Sequence, residues 1–387
     1  GDLNTFLDYP ETECVALCDV DDEWLNKRAA DVEKKTGKKV PHLYKDWRRV
    51  IDNKDVDVVI IGTPDHWHCL PTVWACQAGK DVYVEKPLSN TIEECNLMEK
   101  AARKYNRIVQ VGQWQRSDPH WDEAANFLKV GNIGRIRTVK VWAYQDGKPT
   151  LPVKPDCDAP AGVDYDMWLG PAPKRPFNPY RFHYNFRFFW DYAGGLMSDW
   201  GVHLLDYALE GMNAGLPTRV FSGGGKFAYP DDAMETPDTL MATYAYDDFN
   251  IIWDHACGIN HGLYNRKEGL AFYGENGTMV LDRAGWEVIP VVSNNVARME
   301  VPFKKGEGKG LYNHVGNMLS CIKSRELPNA DVAIGARVAK MAHLANISCR
   351  VQREVHWDDK NNLFVGDNEA TALSKAYYRA PWELPKL

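Results

Sequence analysis

The stretch Gly79-Lys80-Asp81-Val82-Tyr83-Val84-Glu85-Lys86-Pro87 decides how the N-terminal part of this 387-residue chain is expected to fold. Residues 81–84 form a β-branched and aromatic run after a glycine turn, which predicts a short buried strand. Pro87 cannot donate to a sheet ladder, so the strand has to end before it. Glu85 and Lys86 are therefore expected at the carboxyl end of a buried strand, the edge at which open α/β sheets bind ligands.

The residues that follow predict a helix that starts close behind Lys86. Thr91-Ile92-Glu93-Glu94 has the spacing of a capping box, in which the Thr91 hydroxyl caps the N3 amide and Glu94 reaches back. The helix is expected to run to about Tyr105. For Lys86 itself two interpretations stay open from this segment: a ligand-binding cation, or a solvated lysine in a strand–helix turn.

The composition is that of an ordinary globular protein of two domains, with 44% hydrophobic and 26% charged residues. A net charge of −7 argues against a nucleic-acid surface, which has to be basic. No apolar run of about 18 residues predicts a membrane span. The nine cysteines are scattered without a C-x-x-C motif, so neither a disulfide framework nor a metal site is expected. No signal peptide is visible, and the location is left open between cytoplasm and periplasm.

Outward from residues 79–87, strands and helices alternate regularly over residues 1–113. The strands are predicted at Cys14 to Asp19, Val56 to Ile61, Asp81 to Val84 and Ile108 to Val111. This alternation predicts a doubly wound parallel sheet, the α/β arrangement of the Rossmann fold. Asp19 ends its strand about 18 residues after Gly1, in the manner of the acid that binds a dinucleotide ribose about 20 residues past the glycine turn.

The first strand and the G-x-G-x-x-G turn of that fold are not found in the sequence. Since the first strand is central in the sheet, its loss would leave two ladders unpaired. An unoccupied or substituted position is therefore expected between the strand at residues 14–18 and the strand at residues 56–61. A preceding segment of about 20 to 30 residues, the usual length of a first strand and its turn, or another strand is expected to fill it.

Beyond Gly112 the pattern changes. A long strand at about Ile136 to Tyr144 is followed by strands that alternate with glycine turns between residues 218 and 291, which predicts one large, open, mainly antiparallel sheet. Residues 114–355 are accordingly assigned to a second, α+β domain. Residues 356–387 lack periodicity and are interpreted as a tail.

A second constellation of polar residues follows the glycines Gly194 and Gly195. On a helix Asp199 and His203 are spaced i,i+4 and share one face. An imidazole beside a carboxylate is poised to accept a proton, because the anion favours the imidazolium. A surface charge pair and half of a metal site are the alternatives, and the second is disfavoured because no further His or Cys cluster lies nearby in the sequence.

These residues together resemble the glucose–fructose oxidoreductase and inositol dehydrogenase (Gfo/Idh/MocA) family. The resemblance covers nearly the whole chain from Leu3, and four motifs occur in the family's order: Asp19, Thr63-Pro64-Asp65-x-x-His68, Glu85-Lys86-Pro87 and Gly194-Gly195…Asp199-x-Gly-x-His203. It implies a Rossmann domain, an α+β domain whose sheet forms a homo-oligomer interface, and nicotinamide-dependent oxidation or reduction of a carbohydrate or polyol hydroxyl.

The resemblance also implies roles for individual residues. Lys86 would hydrogen-bond the cofactor ribose and the reacting oxygen, Asp199 would orient the substrate, and His203 would exchange the hydroxyl proton. Asp19 would bind the adenosine ribose and repel a 2′-phosphate, which favours NAD over NADP. The other residues expected along the cofactor are Thr63, Pro64, Asp65, His68, Glu85 and Gln113.

Substrate contacts are expected from two places. Trp114 and Arg116 leave the last parallel strand towards the cleft, and Trp168, Arg181 and His183 lie in an aromatic block just before the second constellation. Flat rings with polar groups suit a carbohydrate, although ordinary core is the alternative for most of the block. The sequence thus predicts an NAD-dependent sugar, polyol or glycoside dehydrogenase. An NAD-retaining glycoside hydrolase of the same fold and a non-catalytic sugar-binding relative remain alternatives.

Overall fold

The N-terminal sheet consists of two groups of parallel strands in the computed structural model, which describes residues 1–148 and 150–387. Strands β1 (Ala16–Cys18) and β2 (His42–Tyr44) form one ladder, and β3 (Val58–Ile61), β4 (Asp81–Val84) and β5 (Val109–Val111) form the other. Within the described residues no ladder joins β1 to β3. The sheet is therefore divided where the sequence predicts an open central position.

Five helices accompany these strands: α1 (Asp2–Phe6), α2 (Asp22–Thr36), α3 (Arg48–Asp52), α4 (Cys69–Gln77) and α5 (Ile92–Lys104). The capping box before α5 is formed, since the Glu94 amide donates to the Thr91 hydroxyl at 3.2 Å. The Glu94 carboxylate reaches back to the amide of Asn90, one residue before the cap, also at 3.2 Å. The start of α5, and with it the loop after β4, is thus fixed by local hydrogen bonds.

The second part of the chain is built on a sheet of ten strands among the described residues. The strands are β6 (Thr138–Gln145), β7 (Arg219–Gly225), β8 (Thr239–Ala245), β9 (Asn250–Cys257), β10 (Glu268–Tyr273), β11 (Gly277–Asp282), β12 (Gly285–Pro290), β15 (Val301–Lys305), β16 (Val355–Asp358) and β17 (Leu363–Phe364), with a small separate hairpin of β13 (Val292–Ser293) and β14 (Val296–Ala297). Their order in the sheet is β15-β12-β11-β10-β6-β9-β8-β7-β16-β17. Only β6 and β9 pair in parallel; every other neighbouring pair is antiparallel.

Helices cover one face of this sheet, and the strands alternate accordingly. In β8, Leu240, Ala242 and Tyr244 are buried, whereas Met241 between them is 57% exposed. Such alternation is expected of a sheet with one covered face. The helices of this part are α6 (Pro119–Lys129), α7 (Tyr165–Leu169), α8 (Val202–Met212), α9 (Gly310–Ser324), α10 (Val332–Val351) and α11 (Asn368–Leu373).

The two sheets are held together by helix α10 and by the C-terminal segment. Val332 and Ala336 of α10 belong to the same buried cluster as Val82 and Val109 of the parallel strands. The segment interpreted as a tail first extends the large sheet through β16 and β17. Its end then returns to the N-terminal part, where Trp382 packs on Trp47 and Trp67. Both sheets therefore meet in one continuous structure, and the polar strand ends lie at their junction.

Candidate active site

Lys86 lies at the junction and reaches across it. Its ammonium donates to the Asp199 carboxylate at 2.5 Å and to the Asp199 carbonyl oxygen at 2.9 Å. The two residues are 113 positions apart in the chain, and their side chains are only 14% and 18% exposed. An ammonium has three donors, so one N–H of Lys86 remains for a ligand.

Asp199 sits in an unusual helical turn. The helix that the sequence predicts from Gly195 is π-helical over Met197–Gly201 and continues as α8. Burial opposes ionisation of Asp199, but the charges of Lys86 and Arg187 outweigh it and lower the pKa to about 2. Arg187 lies 3.4 Å from the second carboxylate oxygen. Asp199 is thus an anion shared by two cations.

His203 follows on the same helix and is buried, with 7% of its surface exposed. Burial, together with the positive charges of Lys86 and Arg283, lowers the pKa of His203 well below its usual range, against the opposite effect of Asp199. Its Nδ1 atom is buried and has no hydrogen-bond partner among the described residues. The imidazole is therefore neutral near pH 7 and has a ring nitrogen available.

Glu85 and Gln113 support the strand ends on either side of Lys86. A Glu85 carboxylate oxygen accepts from the Lys86 amide at 3.1 Å. The carboxyl packs so closely against Gly112 that an added Cβ there would lie 2.4 Å from one of its oxygens, so a larger residue would displace this buried carboxyl. The Gln113 amide nitrogen lies 3.4 Å from the Val202 carbonyl oxygen, while its buried Oε1 has no partner in the described part of the chain. Of the two residues, Gln113 is the one with a free polar atom.

The loop from Thr63 to His68 lies beside the lysine. Both ring nitrogens of His68 meet carbonyl oxygens, of Pro87 at 2.7 Å and of Thr63 at 2.9 Å. His68 thus ties the ends of β3 and β4 together. Asp65 is buried at 7% exposure, and this burial raises its pKa to about 8 although Lys86 and Arg187 oppose the effect.

The buried Asp65 predicts that stability depends on pH. Its pKa is about 8 in the folded chain against 3.8 for an ordinary aspartate, so the folded state binds the proton more tightly and loses stability as pH rises between these values. Asp65→Asn cannot ionise. We expect its unfolding free energy to match that of the wild type near pH 4 and to exceed it by roughly 2–5 kcal/mol at about pH 8.5.

Urea denaturation at both pH values measures this difference. Asp231→Asn, which alters an exposed aspartate, is the matched control and should show no such trend. An Asp65→Asn advantage that is the same at both pH values would contradict the assignment.

Asp19 lies at the carboxyl end of β1, in the other ladder of the parallel sheet from β4 and Lys86. One of its carboxylate oxygens accepts from the Asp21 amide at 3.0 Å, and burial raises the pKa of Asp19. His183, which the sequence places with the substrate, bonds Asp21 through Nε2 at 2.9 Å. The structure therefore puts His183 at the Asp19 end of the edge and not beside Lys86.

Three further residues expected at the substrate are engaged elsewhere. Arg116 forms a two-point ion pair with Asp206 at 2.6 and 2.7 Å. Trp168 is 4% exposed within an aromatic core cluster, and its carbonyl oxygen accepts from Trp67. Arg181 bonds Asp156 at 2.8 Å. Groups that are buried or already hydrogen-bonded in this way have little capacity left for a ligand. Trp114, another of the expected substrate residues, does lie next to His203, with ring centroids 6.5 Å apart.

The glycines before the π-helical turn make room for protein side chains. Gly195 has a φ of +66°, and a Cβ there would lie 2.6 Å from Thr236. A Cβ on Gly194 would lie 2.6 Å from the Asn346 amide. Thr236 and Asn346 therefore occupy the space that side chains at these two glycines would fill.

Arg187 and Arg283 are the two charged residues of the site that the sequence did not reveal. Arg187 stacks on Tyr184 with its guanidinium 3.9 Å from the ring centroid. Arg283 lies in the turn between β11 and β12, and its guanidinium packs on the indole rings of Trp114 and Trp200. Neither arginine belongs to a motif, and their approach to Lys86 and His203 arises only in the folded chain.

The described residues contain no group of three or more His, Cys, Asp or Glu side chains placed to hold a metal ion. Within residues 1–148 and 150–387, no helix is long and apolar enough to cross a membrane.

A dinucleotide cofactor fits the strand edge. Asp19 stands at one end, and the unpartnered Oε1 of Gln113 and Nδ1 of His203 lie at the other. Ligands of open parallel sheets bind along this edge, with the acid on a ribose. A divided parallel sheet joined to a ten-stranded mixed sheet, with Lys86, Asp199 and His203 at the junction, defines the class of two-domain proteins with a Rossmann dinucleotide-binding fold.

Comparison with known proteins identifies the family within this class. Residues 3–113 match the family described as "Oxidoreductase family, NAD-binding Rossmann fold", and residues 128–384 match its "C-terminal alpha/beta domain". The chain belongs to the Gfo/Idh/MocA oxidoreductase family. The resemblance inferred from the four motifs and the NAD-binding character of the N-terminal domain are thereby confirmed.

Individual relatives match over shorter segments. Levoglucosan dehydrogenase of Pseudarthrobacter phenanthrenivorans is 38% identical over 101 residues, 26% of each chain. The scyllo-inositol 2-dehydrogenase (NAD(+)) of Bacillus subtilis is 30% identical over 125 residues, 32% of this chain and 36% of that protein. The sequence matches thus span about a quarter to a third of these relatives. A solved levoglucosan dehydrogenase, in complex with NADH and levoglucosan, superposes with a TM-score of 0.67 at 18% identity, covering 92% of this chain and 94% of that one. That likeness confirms the two-domain fold.

Proposed function

We propose that the protein is an NAD-dependent dehydrogenase that transfers a hydride between the nicotinamide and a hydroxyl or keto group of a sugar, polyol or glycoside. When bound, NAD would supply the hydride acceptor for oxidation of the carbon, and the hydroxyl proton would leave to the protein. The proposal is supported by the family, and by relatives whose names give levoglucosan and scyllo-inositol as substrates.

Lys86 is proposed to act on the reacting oxygen. Two of its three N–H groups donate to Asp199. These bonds fix the orientation of the ammonium and leave the third N–H free to donate to the substrate oxygen. A cation held in place stabilises the negative charge that develops on the oxygen as its proton leaves. Asp199, held by Lys86 and Arg187, is proposed to orient the substrate.

His203 is proposed to take the hydroxyl proton. Because its pKa is lowered, the neutral base is present at pH 7, and its unpartnered Nδ1 can accept a proton without first breaking a hydrogen bond. The single observation that carries the proposal is the buried, unpartnered imidazole on the same helix as the carboxylate that anchors Lys86.

NADH formation tests the function. The purified protein is incubated with NAD and a panel of hexoses, inositols, anhydrosugars and glycosides, and absorbance of NADH is followed. Net NADH with a simple sugar or polyol supports the dehydrogenase. Release of a sugar from a glycoside without net NADH would instead indicate the NAD-retaining hydrolase, and binding without either reaction would indicate a non-catalytic relative.

Asp19 is predicted to select the cofactor. Asp19→Ser removes the charge that would repel a 2′-phosphate, so we expect weaker use of NAD and a relative gain for NADP. The ratio of kcat/KM for the two cofactors measures the change. Asp22→Ser, an exposed acid three residues on, is the control. An unchanged ratio in Asp19→Ser would remove Asp19 from cofactor recognition.

We also propose that the protein is a homo-oligomer through the open face of the ten-stranded sheet. Met241 and Phe221, in neighbouring strands of that face, are 57% and 54% exposed, and exposed apolar side chains that lie together suit a protein–protein contact. Light scattering of the purified protein measures the mass, and a value of one chain would contradict the proposal.

A further inference from the structure

Arg283 occupies the substrate side of the proposed site without an acidic partner. Its guanidinium lies 5.1 Å from the centroid of Trp114 and 4.7 Å from that of Trp200. The same two indoles flank His203, with ring centroids 6.5 and 6.4 Å from the imidazole. Arg283 and His203 therefore share the same aromatic surroundings, and the positive charge of Arg283 acts on the imidazole.

The hydrogen bonds of Arg283 leave donors free. Nε and one terminal nitrogen share a single acceptor, Oε1 of Gln115, at 3.4 and 3.2 Å. A guanidinium has five N–H donors, so the opposite edge of the fork is unused by these bonds. Burial lowers the pKa of Arg283, and the negative charges of Glu268 and Asp199 oppose this effect. No carboxylate of the described residues lies within 4 Å of the Arg283 guanidinium, the distance that defines an ion pair. Arg283 thus differs from Arg116, which is fully paired with Asp206.

The charges around the site leave an excess of positive charge. Lys86, Arg187 and Arg283 are cations; Lys86 and Arg187 share Asp199, and Glu268 is the acid that acts most on Arg283. Burial raises the pKa of the other two nearby acids, Asp65 and Glu85, to about 8, so both are mostly protonated at pH 7. A half-buried excess of positive charge is costly unless an anion joins it, and the stacked, planar guanidinium is suited to a carboxylate.

We propose that the substrate is a sugar acid whose carboxylate binds Arg283 while a ring hydroxyl faces Lys86 and His203. This inference rests on the proposed function, because it names the substrate class of the same site. A carboxylate presents two oxygens that match the free edge of one guanidinium. A phosphate dianion fits less well, since Arg283 brings no second unshared cation.

Matched sugar pairs test the proposal by binding as well as by turnover. Glucuronate is compared with glucose, and galacturonate with galactose, by calorimetric titration with and without NADH. We expect at least one uronate to bind roughly 10–100-fold more tightly than its neutral partner, the effect of a charge-assisted hydrogen-bonded pair. Arg283→Gln should abolish that preference by weakening the uronate alone. Arg283→Lys, which keeps the charge but not the fork, should retain part of it.

Arg298→Gln, which removes an exposed arginine of the same sheet domain, controls for the loss of net charge and should leave the preference intact. Circular dichroism and the melting temperature verify that each variant is folded. Equal binding within every pair, a preference that survives in Arg283→Gln, or tighter binding of glucose 6-phosphate than of glucuronate would each overturn the proposal.

The outcomes also separate this inference from the proposed function. Preferential uronate binding without NADH formation would keep the role of Arg283 and reject the dehydrogenase. Oxidation of neutral sugars without any uronate preference would keep the dehydrogenase and reject the sugar acid.

Discussion

Replacing Lys86 or His203 with alanine is expected to lower kcat by roughly 10²–10⁴-fold, the range for losing one electrostatic or acid–base group. In Lys86→Ala the reacting oxygen would lose the cation that Asp199 holds in place. In His203→Ala the hydroxyl proton would have no acceptor in the site. NADH formation with the best substrate of the panel measures both effects.

The controls are Lys104→Ala on the outer side of α5 and His261→Ala in a loop, both exposed. They should keep the wild-type rate within about twofold, as surface substitutions usually do. Near-wild-type turnover in Lys86→Ala or His203→Ala would remove that residue from the mechanism. A variant that is inactive and also unfolded by circular dichroism would be replaced by Lys86→Met or His203→Gln, which retain more of the side-chain volume.

The second large effect is expected on stability. Arg116→Gln would leave Asp206, whose side chain is 1% exposed, with Glu210 nearby and without an ion-pair partner among the described residues. Breaking a buried ion pair from one side costs about 3–5 kcal/mol, because the remaining charge stays buried. Urea denaturation near pH 7 measures the loss. The double variant Arg116→Gln/Asp206→Asn should recover much of it, since no isolated charge remains.

Arg28→Gln is the matched control, because Arg28 and Asp31 form an ion pair with both side chains 43% exposed. Exposed pairs contribute little, so a change below about 1 kcal/mol is expected. If Arg116→Gln raised KM strongly without a loss of stability, Arg116 would bind substrate, as the sequence suggests, and its ion pair would be dispensable.

The parts of the fold and site that the sequence predicts are those set by local chemistry. The end of β4 at Glu85 and Lys86 follows from Pro87, and the start of α5 follows from Thr91 and Glu94. Both features depend on neighbours within a few residues, which the sequence shows directly. The strands of the large sheet were likewise predicted from glycine turns between apolar runs.

The sequence could not show partners that are distant in the chain. Trp168, Arg181 and His183 have the residue types of a carbohydrate site, but Trp168 is buried against His66 and Trp67, and His183 turns to Asp21. Arg187 and Arg283 approach the site only because two sheets pack together. Neither spacing nor composition encodes which of several equally polar side chains finds a buried acid, since that choice depends on the tertiary contacts of both groups.

The π-helical turn at Met197–Gly201 has a consequence for how the chain can vary in length. A π turn contains one more residue than an α turn; such turns are rare and frequently occur at functional sites. Substitutions within the turn keep the residue count, so Asp199 can still face Lys86 while α8 keeps its register against the large sheet. Deletion of a single residue would close the turn into regular α-helix and rotate one side of the site against the other by about 100°, the angle per residue of an α-helix. Insertions and deletions here are therefore far more disruptive than changes of side chain, and related sequences that keep the site should conserve the number of residues between Gly195 and His203.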